Sequence, residues 1–245
     1  MDSMVHGTAA RVDRLCAAMI RALPELDVVF LQEVDAECGM LDWLELAFSS
    51  MGWQLFVPRD PTGRVQHNTT TNAWDGVTWG RRDNLCALAA RRGTATVHWP
   101  FRMNYSSLSA LSYPIVEVSG IVMASVHVHY QASEADCKEL VVDLRRLGVA
   151  LVGGDFNRDL AASAMPVVLS DGDMSTPTFP TDTNGPAGNT RHTRIDYIIA
   201  LNPSLSAVQI VSPRFSNVRR ADYSFEHSDH LAVEATVRKN ESVPQ

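Results

Sequence analysis

Lysine is almost missing from this chain. Of its 21 basic residues only Lys138 and Lys239 are lysines, so nearly all the positive charge is arginine, the better bidentate partner for phosphate. A compositional bias in an Ala- and Arg-rich chain accounts for the same count. An excess of positive charge is missing too. The net charge of −7 argues against tight nonspecific binding to nucleic acid through bulk charge, although it leaves room for a nuclease, because an ion neutralises the carboxylates clustered around it. No apolar run approaches the ~20 residues of a membrane span, and the N-terminus has no apolar core of the secretory kind. The cytoplasm or nucleus is therefore the expected location, and Asn68-Thr69-Thr70, Asn104-Tyr105-Ser106 and Asn240-Glu241-Ser242 read as chance matches to a glycosylation sequon. Cys16, Cys38, Cys86 and Cys137 are scattered without a Cys-x-x-Cys pair, so neither a zinc site nor a disulfide framework is suggested. Repeats and linker-like stretches are also lacking. A single domain over residues 1–245, with a core at about 8–238, is the expectation.

What is present is an ordinary globular composition, 45% hydrophobic and 20% charged, arranged around one stretch. Val149-Ala150-Leu151-Val152 runs into Gly153-Gly154-Asp155-Phe156-Asn157. The apolar run reads as a buried strand. The two glycines are expected to let the backbone leave the sheet and approach another group closely. Asp155 and Asn157 then stand at the C-terminal edge, where open α/β sheets carry chemistry. Alone, this could equally be a strand end closed by an Asx turn.

Around it the periodicity predicts helices over 8–23, 40–51 and 133–147, the last with Cys137, Leu140, Val141, Leu144 and Leu147 on one face. Short strands are predicted at 27–31, 53–57, 77–79, 85–89, 94–99, 115–118, 121–130, 195–199, 207–211 and 231–237, with Ser119-Gly120 as a hairpin turn. A further short helix is expected within 159–169. Residues 58–74, 170–193 and 212–227 read as long polar loops and 100–113 as irregular.

Four motifs stand at predicted strand ends: Leu31-Gln32-Glu33, Gly154-Asp155-Phe156-Asn157, Arg194-Ile195-Asp196-Tyr197 and Ser228-Asp229-His230. His127 closes a fifth strand. In this order and spacing the chain resembles the endonuclease/exonuclease/phosphatase (DNase-I-like) superfamily, from about Arg11 to Val237, and within it a nuclease or tyrosyl-DNA-phosphodiesterase-like branch. The resemblance implies a two-sheet α/β sandwich with the active site at one end, and a Mg²⁺-dependent (or Mn²⁺-dependent) attack of water on phosphorus. Mg²⁺ takes oxygen ligands and keeps several waters, so one or two carboxylates suffice. By resemblance Glu33 binds the metal, with Asp229 assisting. Asp155 aligns or deprotonates the water, and Asn157 holds that water or a phosphate oxygen. His230 acts as base or phosphate ligand, paired with Asp196, and His127 donates to the charged transition state. His129, two residues on, reads as packing or second in line to the site.

The superfamily opens on a strand ending in Asn at the metal site, and this chain has neither before its first helix. It begins Met1-Asp2-Ser3. If Asp2 matches the third position of the relatives' opening motif, the Asn would lie immediately before Met1. Either the chain is cut there, the preferred expectation since a lost central strand exposes a sheet edge, or Asp2 serves as a carboxylate near the metal. For substrate, the Arg-Ile-Asp-Tyr-Ile form leans toward nucleic acid. Arg158, Arg194, Arg219 and Arg220 are candidate phosphate contacts, as are Arg81, Arg82, Arg91, Arg92, Arg102 and Arg214. Trp74, Trp79 and Tyr223 are candidates for stacking on bases. A phosphatase or phosphodiesterase of a small or lipid-linked phosphate, such as an inositol phosphate, and an inactive binding or scaffold protein are the alternatives.

Overall fold

A computed structural model describes residues 26–34, 36, 39–71, 78–81, 85–98, 100–106, 109–160, 195–212 and 232–239; within these, only the backbone is described at 70, 71, 78–81, 206–212, 232, 234 and 239. In chain order the elements are β1 (Val28–Val34), α1 (Met40–Ser50), β2 (Trp53–Phe56), β3 (Asn68–Thr71), β4 (Thr78–Arg81), β5 (Leu85–Arg91), β6 (Ala95–Val97), β7 (Phe101–Asn104), β8 (Ala110–Tyr113), β9 (Ile115–Val118), β10 (Ile121–His127), α2 (Glu134–Arg146), β11 (Leu151–Asp155), β12 (Asp196–Ala200), β13 (Leu205–Ser212) and β14 (Ala232–Lys239).

The elements stack as helix, sheet, sheet, helix. Of the four sheets among the described residues, the two that stack have the orders β1-β5-β2 and β12-β11-β10-β9-β6, and β13 and β14 pair as a two-stranded sheet. The period-2 alternation of their strands sorts side chains into three apolar layers. Leu41, Leu44 and Phe48 of α1 pack on Leu85, Ala87 and Ala89 of β5. Cys137, Leu140, Val141 and Leu144 of α2 pack on Ala124, Val126, Val152, Tyr197 and Ile199. Between the sheets lie Phe56, Leu88, Ala90, Val116, Met123, Leu151 and Ala200, with Val28 and Phe30. Helix α2 is set by a capping box: Ser133 Oγ accepts from the Asp136 amide, and the Asp136 carboxylate accepts from the Ser133 amide, a device worth about 1 kcal/mol. The same carboxylate accepts from the Ser106 amide and hydroxyl, so it also ties the chain after β7 to the helix.

Both glycines of the central stretch stay in the strand, against the expectation that they leave it. Gly153 pairs with Ser125 and Ile198, and Gly154 with Val126 and Tyr197. Their close approaches are to the opposite sheet and to the next strand. A Cβ on Gly153 would lie 2.4 Å from the Phe30 ring of β1, and one on Gly154, at φ 151°, 1.9 Å from the Val126 carbonyl oxygen. Gly153 thus sets how closely the two sheets meet.

Two further expectations are corrected. The polar segment 58–74 contains β3, and the segment 100–113 contains β7 and β8. These strands join β4 in a sheet of order β4-β3-β8-β7. Their sequences, Asn-Thr-Thr-Thr and Phe-Arg-Met-Asn, lack a run of apolar residues. Cross-strand partners rather than local pattern decide them, for instance Asn68 Oδ1 accepting the Ser112 amide at 2.8 Å. Expectations for residues 8–23, 161–194 and 213–231 lie outside the described residues.

Candidate active site

The layer between the sheets changes character along its length. In β11 its inward residues are Leu151, Gly153 and Asp155. Their register partners are Met123, Ser125 and His127 on β10, and Ala200, Ile198 and Asp196 on β12. Directly paired residues share a face of the sheet. An apolar rung is therefore followed by one with a small residue at its centre, and then by a polar rung, His127–Asp155–Asp196, at the C-terminal ends of the two parallel strands. All three members of that rung are buried.

Strand β1 supplies the opposite wall. Its pairing with β5 is regular from Val28 to Leu31, then slips by a bulge before Val34. Glu33 sits in that bulge with φ 56°, a left-handed conformation that costs a non-glycine residue about 1 kcal/mol or more. The bulge lets Leu31 and Val34, three apart, both join the α1 core, and it leaves Glu33 exposed at the strand end. Gln32 Nε2 donates to Ser125 Oγ at 3.1 Å, and Ser125 Oγ donates to the Leu31 carbonyl at 3.2 Å. Those bonds pin the end of β1 to β10. Cys86 of β5 is buried. Burial, and then the negative charges of Asp155 and Glu33, push its thiol well above the ordinary range, against a smaller opposing effect of the His127 backbone amide. Both carboxylates therefore act on one buried point.

Asn157 completes the cluster. Asp155 Oδ1 accepts the Asn157 amide at 2.6 Å, an Asx turn that holds Asn157 at φ 51°. Asn157 Nδ2 lies 2.8 Å from the Val128 carbonyl and 3.0 Å from His127 Nε2. A carbonyl oxygen only accepts, so the nitrogen must face it. The second amide hydrogen then points at His127 Nε2, which accepts, and the ring proton belongs on Nδ1. Asp155 Oδ2 stands 3.5 Å from the same Nε2. With both Nδ2 hydrogens engaged, Asn157 offers Oδ1, an acceptor, to whatever enters the site.

Of the other residues the sequence pointed to, Arg158 turns toward the segment after β10, where its guanidinium donates to the Ala132 carbonyl. Arg91 and Arg92 do not approach the site. Arg91 is five residues from Cys86 along β5, about 16 Å away, with its guanidinium 5.2 Å over the Trp53 ring, and Arg92 bonds to Ser49. Arg102 is held by the His67 carbonyl, Ser112 Oγ and Thr69 Oγ1. His129 is buried with its ring between Tyr105 and Tyr130. Asp2, Arg194, Arg219, Arg220, Asp229 and His230 lie outside the described residues. Cys86 was missed by sequence reasoning: inside Leu85-Cys86-Ala87-Leu88-Ala89 nothing local marks it.

The donor set suits a hard divalent cation. Glu33 brings an exposed carboxylate, and its charge adds to that of Asp155 at one place. Mg²⁺ asks for no more than one or two such oxygens together with water. Among the described residues no group of three or more His, Cys, Asp and Glu side chains could hold a metal by themselves. Glu33 is thus a candidate ligand, and the described residues do not complete a set around it.

The sequence profile of the Endonuclease/Exonuclease/phosphatase family matches residues 5–230, most of the chain. The chain belongs to that family. It is a phosphoric ester hydrolase, of a family whose enzymes generally use divalent metals. No curated protein matches it. Solved structures of the same fold include an endonuclease/exonuclease/phosphatase family protein from Bacteroides thetaiotaomicron (15% identity, 97% of this chain and 92% of that one, TM-score 0.62). Truncated Caenorhabditis elegans TDP2 is also similar (18% identity, 94% and 92%, TM-score 0.58), as is D. rerio TDP2 complexed with single-strand DNA product (16% identity, 95% and 93%, TM-score 0.56). The family member's two sheets, the helix on each outer face and the polar rung at one end are the α/β sandwich that the strand-end motifs imply.

Proposed function

We propose that this family member is a single-domain, Mg²⁺-dependent phosphodiesterase that hydrolyses phosphoester bonds in nucleic acid, as an endonuclease or a 5′-end-processing enzyme of the tyrosyl-DNA-phosphodiesterase-like branch. The observation that carries the reading is the buried rung His127–Asp155–Asp196 with Asn157 folded over it. The structural likeness to TDP2, one example of which is complexed with single-strand DNA product, supports the substrate class.

Mg²⁺ would be held by Glu33 with Asp229, and with Asp2 if the chain truly begins there, and would supply positive charge to the phosphate oxygens. The chain's own groups do the rest. Asp155, whose Oδ1 accepts the Asn157 amide, takes the proton of the attacking water. Asn157 accepts from that water through Oδ1, so of the two tasks expected of it, holding the water is the one its donors leave open. His127 Nε2 already accepts from Asn157 Nδ2 at 3.0 Å, so His127 holds Asn157 in place and does not itself take the proton. His230, paired with Asp196, serves the phosphate and the leaving oxygen. Arg194, Arg219 and Arg220 meet neighbouring phosphates, whereas Arg158 is held at the Ala132 carbonyl.

The test is hydrolysis of single- and double-stranded DNA, RNA, a 5′-tyrosyl oligonucleotide, bis-p-nitrophenyl phosphate and an inositol polyphosphate, with Mg²⁺, Mn²⁺ or EDTA. Cleavage of an oligonucleotide that EDTA abolishes is expected, and product ends give the polarity. The acidic net charge of −7 favours one second reading, a small or lipid-linked phosphate as substrate. Turnover of the inositol phosphate alone, insensitive to salt, would replace the first reading by that one.

A further inference from the structure

Tyr130 is a large aromatic that the fold leaves in solvent, with 68% of its surface exposed, three residues beyond His127. It stands at the C-terminal end of β10, the edge at which Asp155 and Asn157 also emerge. Its ring is supported. It lies against His129, centroids 4.7 Å apart at 33°. His129 is buried, its Nδ1 accepts the Gln131 amide at 3.2 Å, and its other neighbour is the Tyr105 ring. The Tyr105 hydroxyl bonds to that of Tyr113, which donates to the His127 carbonyl at 3.0 Å. The segment carrying Tyr130 is pinned on both sides, by Asn157 Nδ2 at Val128 and by Arg158 at Ala132. An aromatic column thus runs from the backbone of a site histidine to the surface and ends in one open ring.

We propose that Tyr130 is the stacking platform for an unpaired base next to the scissile phosphate. Stacking on an aromatic ring is indifferent to base identity and adds binding to single-stranded substrate without base-specific hydrogen bonds. A ring already held by its neighbours loses little freedom on binding. The supporting residues of the column are buried and hydrogen-bonded within the fold, which leaves the outer ring as the one that meets substrate. Tyr130 therefore positions substrate and takes no part in proton transfer. The inference rests on the nucleic-acid reading above.

The experiment compares Tyr130→Ala, Tyr130→Phe and Tyr130→Trp with the wild type on single-stranded oligonucleotides, on a series in which one abasic nucleotide is walked along the strand, and on bis-p-nitrophenyl phosphate. Quenching of 2-aminopurine in the oligonucleotide gives a readout apart from turnover. Tyr130→Ala should raise KM for the oligonucleotide about 5- to 150-fold, leave kcat and the small ester unchanged, and abolish the quenching. Phe and Trp should restore both. One abasic position should raise the wild-type KM by the same factor and add nothing to Tyr130→Ala. An unaltered KM and quench in Tyr130→Ala, with the wild type cleaving oligonucleotides, would overturn the platform and leave the nucleic-acid reading standing. An equal loss on the small ester would overturn it as well, by placing Tyr130 in the support of the site. A wild type that turns over the small ester but no oligonucleotide would overturn both.

Discussion

Asn157 presents its amide nitrogen, not its oxygen, to His127 Nε2, at 3.0 Å, because the same nitrogen is committed to the Val128 carbonyl at 2.8 Å. The histidine is therefore held neutral at Nε2, with its proton on Nδ1. Asn157→Asp would set an acceptor against the Val128 carbonyl and draw a proton onto Nε2. Long-range ¹⁵N NMR should show an unprotonated Nε2 in the wild type and a protonated one in Asn157→Asp. Both Asn157→Asp and Asn157→Ala should lower kcat about 10²–10³-fold, the loss typical of a preorganised polar group at a reacting centre. A wild-type rate in either variant would remove Asn157 from the site.

Gly153 and Gly154 answer to different neighbours, so their alanine variants should behave differently. At Gly153 the obstacle is the Phe30 side chain, at Gly154 the Val126 backbone. Gly153→Ala should destabilise by about 1–3 kcal/mol, and Phe30→Leu should recover part of that loss by making room. Gly154→Ala should cost at least as much, with no rescue from Phe30→Leu, since a backbone carbonyl cannot rotate away. Denaturant midpoints of the two single and two double variants check this; equal rescue in both would contradict the geometry.

Glu33 illustrates a site residue retained against the preference of its backbone. At φ 56° a glycine is at ease and a glutamate is not. Glu33→Gly should hold or raise unfolding stability, by up to about 1 kcal/mol, while metal-dependent turnover collapses. Glu33→Gln should lose turnover without the gain. A Glu33→Gly protein less stable than wild type would show that the bulge depends on the side chain.

Acid should loosen α2 through Asp136. Burial raises the pKa of this carboxylate, but bonds from Ser106 and Ser133 outweigh it and hold the pKa below its ordinary value of 3.8. For a depressed carboxylate the stabilisation is fully present above the unfolded value and is lost as pH falls through the folded one. Asp136→Asn should therefore cost about 0.5–2 kcal/mol at neutral pH, and the gap to wild type should close only below about pH 3.8. Urea midpoints at pH 7, 4 and 2.5 measure it; a gap that persists at the lowest pH would assign the effect to shape rather than charge.

The sequence by itself determined the elements whose pattern is local. Helix α2 followed from Ser133 and its apolar face, the β9–β10 hairpin from Ser119-Gly120, and β11 from its unbroken apolar run, because each is decided by residues within one or two turns of one another. The site motifs were legible for a related reason: a carboxylate directly after an apolar strand has few uses, and several in order resemble one family. Tertiary structure alone decided the rest. It showed that Gly153 is small because Phe30 of another sheet needs the space, that β3, β7 and β8 are strands through their partners, and that Arg91 sits at the far end of β5. It alone brought the buried Cys86 under the charge of both Glu33 and Asp155, turned the Asn157 amide nitrogen to His127, and left Tyr130 open on a buried aromatic column. Those relationships link residues tens of positions apart, and their energies arise from contacts that exist only once the two sheets have closed.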